Sequence, residues 1–186
     1  MADKPWLPVT DTQWPQYIVF HQEGADSPHE YAGAVHAPDA ELALTNARDV
    51  FVRRPDCVSL WVVREDRIFA RTAEELALDP RWADGIHDAG QPATWLVFQK
   101  LNHRGTLVHA GEVEAGTPEG ALITALTACA NPSAIVWWVT PDRAVIRSEP
   151  GDIAEMFEIA KSKRFRDQGE YHIVTAMRKI GGGDKS

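Results

Sequence analysis

Apolar residues along this chain cluster into short runs, and the runs come in two sets of the same design. Residues 17–20, YIVF, and residues 95–101, WLVFQKL, carry the apolar and aromatic pattern of a strand. Each run is followed by a polar turn containing Gly24 or Gly105, then by a second short strand through Val35 or Val113. A helix comes next. Asp39 in the first set, and Thr117 followed by Pro118 in the second, are good helix starts: the side-chain oxygen accepts from free amides, and proline needs no donor there. Ala40, Ala43, Leu44, Ala47, Val50 and Phe51 then recur at helical spacing, which predicts one buried face. Pro55 and Pro132 close the helices. The β-branched and aromatic runs CVSLWVV and AIVWWVT predict buried strands.

The two sets align residue by residue. Val19-Phe20 matches Val97-Phe98 at an offset of 78, AGAVHA matches AGEVEA, and Ala43-Leu44 falls on Ala121-Leu122. After a one-residue gap, Pro55 meets Pro132 and LWVV meets WWVT. The chain is therefore expected to be α+β: two tandem β-β-α-β units packed as an internal pseudo-dimer, plus a C-terminal helix and short strand. The expected division is residues 1–70 and 94–147 for the units, 71–93 for a linker with about one helical turn, and 148–186 for a helix and tail. At roughly 55 residues neither unit has a generous core alone, and packing the two together supplies one.

Composition narrows the function classes. A net charge of −8 argues against nucleic acid as the main partner. No run approaches the roughly 18 apolar residues that span a bilayer, and the first residues lack a secretion pattern, so a cytoplasmic location is expected. Cys57 and Cys129, the two cysteines, lie on apolar segments and are expected to be reduced and buried. There is no HExxH, CxxC, Glu-x-x-His, nucleophile elbow or phosphate loop, so no cofactor or metal is expected on this chain. His29, His36, His103 and His109 are expected to be surface or hydrogen-bonded core histidines. Of Trp137 and Trp138, one ring belongs to the core and the other to a surface or interface.

The polar cluster in LALTNARDVFVRR is the main candidate for a site. Asn46, Asp49 and Arg53 share a helix face, while Arg48 lies well round from Asp49, and Asp49 and Arg53 form an i,i+4 pair. The second unit has Thr124, Leu126 and Thr127 at the matching positions. Keeping the apolar frame while losing the charges points to a polar partner for the first unit alone, or else to a Leu126 that faces the first unit.

These residues also resemble a family. Trp14, Pro15, Tyr17, Val19, Phe20, His36, Ala37, Asp39, Asn46, Ala47, Arg48, Asp49, Arg53, Arg54, Ser59 and Trp61 match the pattern of the B subunit of the phenylacetyl-CoA epoxidase complex (PaaB). Ser162, Lys163, Arg166 and Tyr171 match its tail motif. The resemblance covers residues 14–63 and about 157–171, and the second unit departs from the usual single-unit form. It implies a non-catalytic subunit that bridges pairs of a di-iron catalytic A subunit and a C subunit. Its docking residues would be Asn46, Arg48, Asp49, Arg53, Arg54, Trp61, Lys163, Arg166 and Tyr171. The alternative is a small-molecule-binding or stand-alone α+β enzyme with a pocket between the units.

Overall fold

A computed structural model of the chain describes residues 13–52, 57–79, 81–86, 88, 90–149 and 151. Its elements are β1 (Gln16–Gln22), β2 (Glu30–His36), α1 (Ala40–Phe51), β3 (Ser59–Arg64), β4 (Phe69–Thr72), α2 (Ala73–Leu78), β5 (Ala93–Lys100), β6 (Leu107–Ala115), α3 (Pro118–Ala128), β7 (Val136–Pro141) and β8 (Val145–Arg147). Short helical turns at Glu65–Arg67 and Asp142–Ala144 join β3 to β4 and β7 to β8. The fold is α+β with the two expected units. The expected C-terminal helix and strand lie outside the described residues.

The eight strands among the described residues form one sheet in the order β4-β7-β5-β6-β2-β1-β3-β8, and every pairing is antiparallel. Exchanging each element for its counterpart in the other unit reverses this order and reproduces it, which is a pseudo-two-fold axis between β2 and β6. The units touch there through a short ladder at Glu30 and Val108, with His109 N donating to His29 O at 2.8 Å. The larger link is at the ends. Unit one sends β4 to pair with β7, and unit two returns β8 to pair with β3. Each unit thus completes the other's half-sheet. The sequence pattern did not reveal these strands, because β4 and β8 are three to four residues long and find partners only across the molecule.

The exchange forces the sheet to curl. In a flat sheet β3 and β4 would stand six strand spacings apart, roughly 29 Å, whereas the chain from Arg64 to Phe69 reaches at most ~19 Å. Curling also brings Phe20 of β1 and Phe98 of β5 into a stack with ring centroids 4.0 Å apart. Alternation along the strands then divides the apolar residues. Tyr17, Val19, Leu60 and Val62 pack under α1 with Ala43, Leu44 and Ala47. Trp95, Val97, Trp137 and Val139 pack under α3 with Ala121, Leu122 and Ala125. Ile18, Phe20, Val63, Leu96, Phe98 and Val145 face inward and form a third cluster drawn from both units. Trp138 joins that inner cluster edge-on to Tyr31, at 5.9 Å, while Trp137 belongs to the core of unit two.

Each unit carries the same irregularity. Register shifts between Val19 and Phe20 on β1, and between Val97 and Phe98 on β5, leave an extra residue opposite, followed by Gly33 and Gly111, both with φ of 152°. These are β-bulges, which bend a strand and suit glycine. At Gly33 the backbone also meets the ring of Phe51, 2.5 Å from where a Cβ would sit; at Gly111 the neighbour is Cys129, at 3.2 Å. Phe51 and Cys129 are themselves repeat counterparts, so the smaller side chain gives unit two a looser seat.

Candidate functional site

Helix α1 begins where Asp39 accepts from Leu42 N at 2.8 Å, and its Val52 cap amide donates to Arg48 O. Ala43, Leu44 and Ala47 are buried, which turns Leu42, Asp49 and Val50 outward. Asn46 donates to His36 O at 3.3 Å, and His36 Nδ1 donates to Trp14 O at 2.9 Å. Ala37 N donates to Pro15 O as well. Three of the motif residues, Trp14, His36 and Asn46, are thereby tied into one hydrogen-bonded corner, with the Ala37–Pro15 bond beside it. Asn46 braces that corner rather than standing free. The indole of Trp14 is 58% exposed.

Arg48 and Asp49 differ from the sequence-based expectation. Arg48 Nη2 lies 3.0 Å from Asp49 Oδ1, and Nε donates to the same oxygen at 3.1 Å. Successive helix residues point about 100° apart, but the long guanidinium stem covers that angle. The expected partner of Asp49, Arg53, lies outside the described residues, as do Arg54, Lys163, Arg166 and Tyr171.

Trp61 does not belong to the α1 surface. Being in phase with Val63, it faces inward, opposite to Leu60 and Val62. Its ring stacks on His29 at 3.5 Å, lies edge-on to His109 at 5.3 Å, and is covered by the Arg147 guanidinium at 4.7 Å. Arg147 is held in turn by Asp142. The resulting cluster draws its members from both units, and sequence reasoning missed it because His29, Trp61, His109 and Arg147 lie far apart in the chain.

Its histidines are neutral packing groups. His29 is 7% exposed, lies 3.0 Å from Ser59 Oγ through Nε2, and has a pKa lowered to about 4, first by burial and then by His109 and Arg147. Burial also lowers the pKa of His109, whose Nε2 has no hydrogen-bond partner among the described residues. His36 and His103 are exposed. Burial raises the thiol pKa of both Cys57 and Cys129, which disfavours the thiolate a nucleophile needs. Among the described residues, no group of three or more His, Cys, Asp or Glu is placed to hold a metal ion. Nor is any of their helices long and apolar enough to cross a membrane.

Comparison with known proteins follows the same two-part pattern. The family model described as Phenylacetic acid degradation B matches residues 13–83 and 91–178. A relative from Escherichia coli (strain K12), named as the B subunit of 1,2-phenylacetyl-CoA epoxidase, is 39% identical over 67 residues, which is 36% of this chain and 70% of the relative. No solved structure matches the chain.

Proposed function

Since the chain belongs to the phenylacetic acid degradation B family, we propose that it is a non-catalytic assembly component of a multicomponent di-iron epoxidase. That complex would act on phenylacetyl-CoA in aerobic phenylacetate degradation, in the cytoplasm. Within it, this chain bridges pairs of the catalytic A subunit and the C subunit. The observation that carries the reading is that the family pattern spans both repeats, in a chain whose repeats are interlocked by exchanged strands. An internal pseudo-dimer presents two related faces from one polypeptide, which is what a bridge requires.

Two features support a structural over a catalytic role. The histidines and cysteines of the interior are committed to packing. The interior between the two halves of the sheet is filled by the Phe20–Phe98 stack and the apolar cluster around it. Co-expression with the A and C subunits, followed by size exclusion with light scattering, tests the reading. Co-elution in a defined stoichiometry is the expected result, and independent elution across a range of salt would sink it. Arg48→Ala is expected to weaken assembly while the isolated chain melts as wild type does. An equal loss of both would mark Arg48 as structural.

A further inference from the structure

Two grooves meet beside the turn at which unit one hands its last strand to unit two. The larger, about 400 Å³, is lined by Tyr17, Ala40, Arg64, Arg67, Arg143 and Ile146, with no carboxylate among the described residues of its wall. The smaller, about 360 Å³, is lined by Trp14, His36, Arg64, Glu65 and Asp66 among others. Arg64 borders both, so the grooves are neighbours on either side of its side chain. Trp14 is 58% exposed at one end and Ile146 39% exposed at the other.

Charge on this surface is unbalanced. Asp66 serves two guanidiniums, lying 3.0 Å from Arg64 and 3.8 Å from Arg67. Arg143 makes no ion pair among the described residues. Ala40, the first residue of α1, also borders the larger groove, where the helix end is already capped by Asp39 and adds no unopposed charge. In a chain of net charge −8 this is a local reversal of sign. The pseudo-two-fold does not repeat it. At an offset of 77, Arg64 and Arg67 fall on Pro141 and Ala144, and Arg143 falls on Asp66. The surface therefore exists once per chain and needs a residue from each unit.

We propose that this surface docks a segment of the partner protein in which carboxylates stand beside a large apolar side chain. The carboxylates pair with Arg67 and Arg143, and the apolar group packs against Trp14 or Ile146. A lining shared between arginine, tryptophan and tyrosine is the composition of interface hot spots. The inference rests on the assembly reading above, and it gives the second unit a direct part in recognition.

The test uses the full chain, immobilised, with the purified A–C pair titrated over it. Arg143→Glu and Trp14→Ala are each expected to weaken binding by ~10-fold or more. Arg143→Lys is expected to keep most of the affinity, and Arg143→Glu to keep the wild-type melting temperature. Wild-type binding that neither Arg143→Glu nor Trp14→Ala weakens overturns the groove and leaves the assembly reading standing. No binding by the wild-type chain overturns both. A melting temperature raised by ATP in the wild type but not in Arg143→Glu, with partner binding unchanged, assigns the arginines to a small phosphate-bearing ligand and overturns the proposal.

Discussion

Helices α1 and α3 occupy equivalent places and bury equivalent residues, Ala43, Leu44 and Ala47 in one, Ala121, Leu122 and Ala125 in the other. Their outer faces differ. Where α1 turns the Arg48–Asp49 pair to solvent, α3 has Leu126 and Thr127. Leu126 packs against the core of unit two, together with Leu76 of α2 and Trp82 just beyond it. At Leu126 the missing charge thus has an internal cause, since this position packs against its own unit's core, while Thr124 and Thr127 stay exposed. The positions that match α2 at the 77-residue offset, 150–155, lie outside the described residues except for Gly151. At Leu126, then, the contrast between the helices reflects packing within unit two.

That contrast can be broken at its tightest point first. Gly33→Ala, whose Cβ would sit 2.5 Å from the Phe51 ring, is expected to cost about 3 kcal/mol; Gly111→Ala, facing Cys129 at 3.2 Å, about 1 kcal/mol. Urea unfolding of the two variants measures the difference, and equal losses would show that the bulges are equally tight.

Acid comes next in size. The pKa of His29 is depressed in the folded state, so the unfolded chain binds the extra proton between its ordinary value of 6.5 and about 4. Its contribution is present above pH 6.5 and is lost as the pH falls through that window, by about 3 kcal/mol in all. Unfolding midpoints for wild type and His29→Gln at several pH values isolate the term. The variant should lose part of the slope and retain the share that His109 supplies. An unchanged slope would mean His29 is protonated as easily folded as unfolded.

Exchanging the helix faces gives a smaller and more pointed result. Leu126→Arg is expected to destabilise by about 1–2 kcal/mol, because it removes packing from the unit-two core, and Arg48→Leu by less than about 0.5 kcal/mol. Matching losses would mean that α1 is covered as closely as α3. The smallest effect is expected for Asp49→Ala. It removes a partly exposed pair worth about 0–1 kcal/mol, and melting curves should barely move.

Much of this architecture could be read along the chain because duplication writes each local feature twice. The strand runs, the cap residues Asp39 and Thr117, and the AGAVHA and AGEVEA segments that hold the bulge glycines all repeat. Relations between distant residues were not legible. Alternation assigns Trp61 to one face of β3, but only the curl of the sheet decides that this face is the inside. The strand character of residues 69–72 depends on β7, more than 60 residues later, so residues 71–72 looked like the start of a linker. At the candidate site, helical spacing identified the polar side of α1. It could not show that Asn46 bonds to His36, or that Arg48 reaches round to Asp49.

The exchanged strands also govern when the molecule can form. Phe69–Thr72 leaves the ribosome well before Val136–Pro141 is synthesised, and the sheet edge that Val145–Arg147 will cover stays bare until still later. The first half of the polypeptide must wait with an open β edge, the kind of surface on which chains aggregate. Contacts this distant in sequence make folding slow and delay it until residues 136–147 have been made. A chaperone, or the partner subunits themselves, would find their widest opening in that interval.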